Sequence, residues 1–348
     1  MTKRNANQPK GPRRGFWGGI GSRAPKKAEA APPDKARKPG KPEKPAPGPL
    51  EGFFKKGAMC FGCLTLAGLI VGGVLLGRIG GFCPAAPEGP QVEIYSREQI
   101  DKFITSVLIT VQNQPLGQAN AQADMVFIAS FNAFSQRLTI VALSAGLVVE
   151  TEGFGERALG EAYALGGPGL LLNALNQSFG LDLQSYASTD TRSLAAMIDL
   201  FGGVPLELTA EEGAYLQGAL GAGAYGAGPV TLPGEAAMVH AMDGLSGGDP
   251  LGVLGRRLNL IHAAVFNLRK TATKEAMLPL LSLITGSIQT NLDFTTLHNL
   301  GYELLKAEEM EYESLALPAA GAYRETGRGL EADIPETAAL LRETLYGK

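Results

Sequence analysis

Few side chains in this sequence are of a type and spacing that could do chemistry. Three His and three Cys occur in 348 residues, which excludes a disulfide scaffold and leaves no metal-ligand spacing for a structural zinc. Cys60 and Cys63 form a CxxC pair, but inside an apolar segment with no second pair. Small packing residues or lipid-modified cysteines at a membrane edge both fit that setting. Cys83 stands alone, and no Gly-x-x-x-x-Gly-Lys-Ser/Thr loop is present. No catalytic spacing singles out any of the remaining charged or imidazole side chains, Asp124, Asp249, His240, Arg256 and Arg257 among them. Guanidinium groups suit a phosphate-like anion, and a carboxylate suits a hard cation such as Mg²⁺. Each also has a plainer role. Asp124 could simply begin a strand, and Asp249-Pro250 is a natural helix start. The arginines could lie on a solvated face, and His240 on its apolar segment could be a core histidine.

The elements that must position these residues alternate between strand and helix, which argues for an α/β fold. Leu108–Val111, Asp124–Phe131, Leu138–Leu143 and the short Ser185–Ser188 read as strands. Arg157–Ala164, Gly169–Phe179 and Arg192–Phe201 read as helices. Pro250–Lys270 carries Leu251, Leu254, Leu258, Ile261 and Val265 at helical spacing. Asp293 is placed to cap a helix ending near Lys306, and Pro335 opens a last one. The glycine-rich run Gly218–Val230 reads as a mobile loop. Asp182, Asp190 and Asp199 read as structural carboxylates. No internal repeat is apparent.

Before this domain lie two segments of another kind. Residues 1–57 hold 15 of the 31 Lys/Arg and only 4 of the 34 Asp/Glu. Residues 1–56 are rich in Pro, Gly, Lys and Arg without a hydrophobic period, so disorder is expected there. Gly57 to Gly77 is a run of 21 uncharged residues, long enough to span a bilayer and too long for a cleaved signal sequence. Phe53, Phe54, Lys55 and Lys56 would anchor it at the interface, and the basic flank places the N-terminus in the cytoplasm. The expected organisation is a cytoplasmic tail (1–56), a transmembrane helix (57–77), a Pro/Gly linker (78–94) and an extracytoplasmic domain (95–348). The basic tail then lies beside anionic lipid. The remainder of the chain is acidic, which argues against nucleic acid as a partner.

Within the domain several segments occur in a telling order. QADMVFIASFNAFSQRLTIVAL, GEAYALGGPGLLLNAL, MIDLFGGVPLEL, LPGEAAMVHAM and GDPLGVLGRRLNLIHAAV follow one another between residues 122 and 265. Their sequence and order resemble the LytR-CpsA-Psr (LCP) family of cell-envelope proteins, over roughly residues 95–347. The resemblance implies a three-layer α-β-α sandwich around a central mixed sheet, preceded by one transmembrane helix. It also implies transfer of a glycopolymer, such as teichoic acid or capsule, from a polyprenyl-pyrophosphate carrier to peptidoglycan. Such a transfer needs Arg side chains and a carboxylate-held Mg²⁺ to stabilise charge building on the pyrophosphate.

Set on the family pattern, most of that charge is missing. The family's Ser-Ile-Pro-Arg-Asp falls on Ala142 to Gly146, so Arg becomes Ala145 and Asp becomes Gly146. Its Val-Arg-x-Arg falls on Val239 to Met242, so His240 and Met242 replace both arginines. The upstream metal-binding Asp falls near Gln112. In the last motif Asp249 and Arg256 match, Val253 replaces an Arg and Arg257 stands for the Gln. Asp124 also matches. The resemblance therefore assigns catalysis to Arg256 and Asp124, with Asp124 the candidate Mg²⁺ ligand, and ligand contacts to Arg257, Asp249 and His240. Two functions stay open: a degenerate, weakly active or non-catalytic binder of polyprenyl-phosphate-linked polymer or of a partner in wall assembly, and an active phosphotransferase.

Overall fold

Strands β1 (Ile104–Gln112), β2 (Ala123–Asn132) and β3 (Arg137–Leu143) form the centre of the fold because their apolar residues fill both faces. On β2, Val126 and Ile128 point to one layer while Met125, Phe127 and Phe131 point to the other. On β3, Val141 and Leu143 oppose Leu138, Ile140 and Ala142 in the same way. A strand buried on both faces must be covered by helices on both. This computed structural model describes residues 92–95, 97–221, 225–242, 249–271, 287–292, 296, 299–301 and 310–347. The basic tail, the apolar run 57–77, the three cysteines and most of the helix expected from Asp293 to Lys306 lie outside these residues.

The sheet has six strands in the order β10-β3-β2-β1-β6-β9, with β6 at Ser185–Asp190, β9 at Gln289–Thr290 and β10 at Glu311–Leu317. The β10–β3 and β1–β6 pairs are parallel and the others antiparallel. The expected mixed sheet is present, with the strands reaching up to four residues beyond their expected ends.

One face is covered by α1 (Leu159–Phe179) and the C-terminal α6 (Ile334–Tyr346). The helices expected at Arg157–Ala164 and Gly169–Phe179 are one element broken at Gly166 and Gly167, where Gly167 has φ 65°. Pro168 has no N–H to continue the ladder, so the helix restarts there. Arg157 belongs instead to a small hairpin, β4 (Val148–Thr151) with β5 (Gly155–Ala158). The N-terminal segment crosses α1: Asn173 donates to Glu93 O (2.8 Å) and accepts from Tyr95 N (3.1 Å). Asp182 accepts from Ile100 N (2.6 Å) and from the Tyr346 hydroxyl, tying α6 to the same face.

The opposite face carries α2 (Thr191–Leu200), β7 (Val204–Leu208), α3 (Ala210–Leu220), β8 (Gly228–Leu232), α4 (Gly234–Ala241) and α5 (Pro250–Thr271). Asp190 caps α2 through Ser193 N (2.7 Å), and Asp199 accepts from Gly234 N (2.6 Å) at the start of α4. Both carboxylates are structural, as read from the sequence. The expected loop Gly218–Val230 is corrected at both ends. Its first residues finish α3, and its last begin β8, which pairs antiparallel with β7. Gly228 and Pro229 give no strand signal of their own there; the partner strand supplies it.

Leu175 is fully buried between α1 and the sheet, whereas Phe134, at the β2–β3 turn, is 82% exposed. Leu175→Ala should therefore cost about 2–5 kcal/mol of stability in urea unfolding, while Phe134→Ala should stay within about 0.5 kcal/mol.

Candidate functional site

At one end of the sheet, β1 and β3 finish and β2 begins, and the chain leaves β3 through Ser144-Ala145-Gly146. That turn is held on every side. Ser144 N donates to Leu317 O (2.9 Å), Leu147 N to Ser144 O (2.9 Å) and Gly160 N to Ala145 O (2.9 Å). Leu330 N, from the hairpin β11 (Tyr323–Thr326)–β12 (Gly329–Ala332), donates to Gly146 O (2.8 Å). The approach is so close that a Cβ on Gly329 would sit 2.3 Å from Gly146 O.

Between this turn, the hairpin and the start of α5 lies a cleft of about 520 Å³. Asp124, Ala145, Gly146, Met242, Asp249, Val253 and Arg257 line it together, although they span more than 130 positions of the chain. The hairpin adds Glu325 and Thr326, and Asn113 adds the end of β1. Sequence reasoning missed these; Thr-Gly-Arg-Gly at 326–329 signals a tight turn, but nothing local says which surface it covers.

The two arginines enter from α5 and differ in their use. Arg257 is 5% exposed; it donates from Nε to Ala241 O (3.1 Å) and from Nη1 to Asp124 O (2.8 Å). Arg256 is also buried and donates from Nε to His240 O (2.8 Å) and from Nη2 to Met242 O (3.0 Å). The last carbonyls of α4 have no partner within their own helix and carry the negative end of its dipole, so guanidinium groups satisfy them well. Arg257 lines the cleft; Arg256 does not. Asp249 caps α5, accepting from Leu251 N and Gly252 N, each at 3.1 Å.

His240 and Gln112 lie elsewhere. His240 is buried behind α4, its Nε2 3.0 Å from Glu212 Oε1, while its Nδ1 is buried without a hydrogen-bond partner among the described residues. Gln112 lines a second, smaller cleft and donates to Gln114 O (3.1 Å) and Pro115 O (2.8 Å). Among the described residues no group of three or more His, Cys, Asp or Glu is placed to hold a metal ion.

The Glu212–His240 pair gives the domain a pH dependence. Burial lowers the His240 imidazole below its ordinary 6.5, with the Glu212 carboxylate pulling it upward and the Arg256 charge adding to the lowering. Burial opposes ionisation of Glu212, but hydrogen bonds from Thr209 and His240 hold its carboxyl below 4.5. The unfolded chain therefore binds more protons than the folded one, and stability falls with falling pH. The loss should begin below about pH 6.5 through His240 and continue below about 4.5 through Glu212. Urea midpoints measured between about pH 7.5 and 5 should drop, and His240→Gln should flatten that limb.

Comparison with known proteins agrees with this architecture. The LytR_cpsA_psr family profile matches residues 91–344. The regulatory protein MsrR of Staphylococcus aureus is 20% identical over 222 residues, 63% of this chain and 66% of its own length. The polyisoprenyl-teichoic acid–peptidoglycan teichoic acid transferase TagU of Enterococcus faecalis is 21% identical over 192 residues, 53% of this chain and 60% of its own. Solved structures of TagT, one bound to LIIa-WTA and one with octaprenyl pyrophosphate lipid, superpose with TM-scores of 0.59 and 0.56. Each shares 16% identity and covers 75% of this chain and 98% of theirs. With the family's profile running across nearly the whole described domain, this chain belongs to the LytR-CpsA-Psr family.

Proposed function

We propose that this protein is a membrane-anchored, extracytoplasmic LCP protein of cell-envelope assembly. It binds a polyprenyl-phosphate-linked glycopolymer and turns it over weakly or not at all. The observation that carries this reading is the charge of the 520 Å³ cleft. Among the described residues its lining has three carboxylates, Asp124, Asp249 and Glu325, and one guanidinium, Arg257, which already serves Ala241 O and Asp124 O. Ala145, Gly146, Met242 and Val253 line the same cleft and bring no charge. Transition-state charge on a pyrophosphate needs several donors, and each one lost costs about 10² to 10³ in rate. TagT, solved with octaprenyl pyrophosphate, and TagU, named a teichoic acid transferase, supply the ligand class. In this reading the apolar run 57–77 is the anchor, the basic tail lies against anionic lipid, and peptidoglycan is the neighbouring polymer.

Mg²⁺ fits this donor set as a shared ion rather than a caged one. Asp124 would hold it, with pyrophosphate oxygens and water completing the shell, since Mg²⁺ accepts one or two carboxylates plus phosphates. Bound there, it would neutralise charge on the phosphates. Arg257 fixes the Asp124 backbone, and the two N–H groups at the start of α5 hold Asp249 in place. The second reading, an active phosphotransferase, is favoured by the meeting of Asp124 and Arg257 in one cleft.

The full chain in detergent micelles should bind octaprenyl pyrophosphate, with Arg257→Ala weakening binding by about tenfold or more, the value of one charge-assisted hydrogen bond. Release of the polyprenyl phosphate product with Mg²⁺ should remain near background. Robust turnover lost on Arg257→Ala would replace this reading with the second.

Restoring charge gives a further expectation. A Cβ on Gly146 would meet Leu330 Cγ and Ser144 Oγ at 3.7 Å, ordinary contact distance, and half-buried Ala145 beside it lines the cleft. Ala145→Arg should tighten pyrophosphate binding by about tenfold, read by the same titration. No gain in affinity would show that the turn is misplaced for the anion.

A further inference from the structure

The buried Glu212–His240 pair is joined to the cleft by main chain. His240, Ala241 and Met242 end α4, and their carbonyls take the Nε of Arg256, the Nε of Arg257 and the Nη2 of Arg256 in turn. Met242 and Arg257 both line the 520 Å³ cleft. A shift of the His240 backbone therefore reaches two of its lining residues.

The surroundings of the imidazole suit its neutral form. The residue is 3% exposed, Nε2 lies 3.0 Å from Glu212 Oε1, and Nδ1 has no hydrogen-bond partner among the described residues. A neutral ring protonated on Nε2 donates to Glu212 and leaves only a lone pair at Nδ1. The cation would bury a second N–H with nothing to receive it. The groups on the packed elements do not change this. From α3 the ring faces Glu212, while Glu211 is exposed. From α5 it meets Arg256, whose charge opposes a second cation. Asp199 of α2 accepts from Gly234 N at the other end of α4, and β8 has no titratable side chain.

We propose that His240 is an acid-operated latch on the cleft: protonation of its imidazole releases the end of α4 from Arg256 and Arg257 and so weakens ligand binding. The charged ring finds water only by leaving its pocket. The end of α4 yields, since beyond the arginine contacts Met242 is held by its N–H to Val239 O (3.3 Å). Arg257 then loses the Ala241 carbonyl that orients it, and Met242 leaves the wall. An imidazole in water binds a proton more tightly than the buried one, so opening grows as pH falls, by up to about tenfold per unit below about 6.5. The strands need not open with it. The effect on ligand rests on the proposed binding of a polyprenyl-phosphate-linked polymer; the opening of α4 does not.

The test is hydrogen–deuterium exchange read by mass spectrometry on the full chain in detergent micelles at pH 7.5 and 5.5, corrected for the intrinsic pH dependence of amide exchange. Protection of residues 238–242 should fall about tenfold at pH 5.5 while β2 and β3 stay protected. Affinity for octaprenyl pyrophosphate should weaken between the same two pH values. His240→Gln, uncharged at both, should abolish the change in exchange and leave only the change in affinity that protonation of the pyrophosphate itself causes. Glu212→Gln keeps a capping side chain for α3 but removes the charge that draws a proton to the imidazole. It should move the opening to lower pH, a shift that a purely structural contact would not produce, and it decides the matter if His240→Gln does not fold. Unchanged protection of 238–242 at pH 5.5, loss of protection spread evenly over the sheet, or the same opening in His240→Gln overturns the latch. So does an affinity whose pH dependence is equal in the parent and His240→Gln. Absence of octaprenyl pyrophosphate binding at either pH would reject the proposed function, and the exchange data would still decide the latch.

Discussion

Two buried guanidinium groups hold the functional end of this domain together. Arg256 and Arg257 stand next to each other on α5, and their four assigned hydrogen bonds run to His240 O, Met242 O, Ala241 O and Asp124 O. Three of these carbonyls lie at the end of α4 and the fourth at the start of β2. A charge taken out of water must find partners or destabilise the fold. Here the partners belong to two elements, α4 and β2, so the arginines fix a helix end and a strand start against α5. That junction supplies Asp124, Met242 and Arg257 to one wall of the cleft.

The same economy limits what the cleft can do. A guanidinium already donating to main-chain carbonyls has fewer donors left to offer a ligand. The turn after β3 adds none, because Ala145 and Gly146 carry no charge. The scaffold is the family's.

Much of the fold was legible because burial on both faces leaves an unmistakable record. Leu138–Leu143 and Asp124–Phe131 are apolar at nearly every position, and both are central strands. The cleft was legible at Asp124, Ala145, Gly146, Met242, Asp249, Val253 and Arg257 only through the order of motifs, since residues this far apart share no local signal. The difference between Arg256 and Arg257 was not legible. Adjacent helical residues point about 100° apart, and which one meets the cleft depends on the rotation of α5 about its axis. The β11–β12 hairpin was missed for another reason. Glu325 and Thr326 are exposed, and the hairpin's grip on the turn is made by main-chain atoms that any sequence possesses. The loop expected at Gly218–Val230 failed because small residues carry no pattern, while β7 gave β8 its structure.

The pairing of β10 with β3 joins residues 311–317 to residues 137–143, and the hairpin that follows closes over the turn. Contacts this distant along the chain form late, because the loop between them must first be closed. During synthesis, the strands β1 to β3 emerge long before the residues that complete the cleft wall. Until β10 pairs, the edge of β3 lies open, and the cleft lacks the wall that the β11–β12 hairpin supplies. An unpaired β3 edge is in turn a template for pairing with another chain.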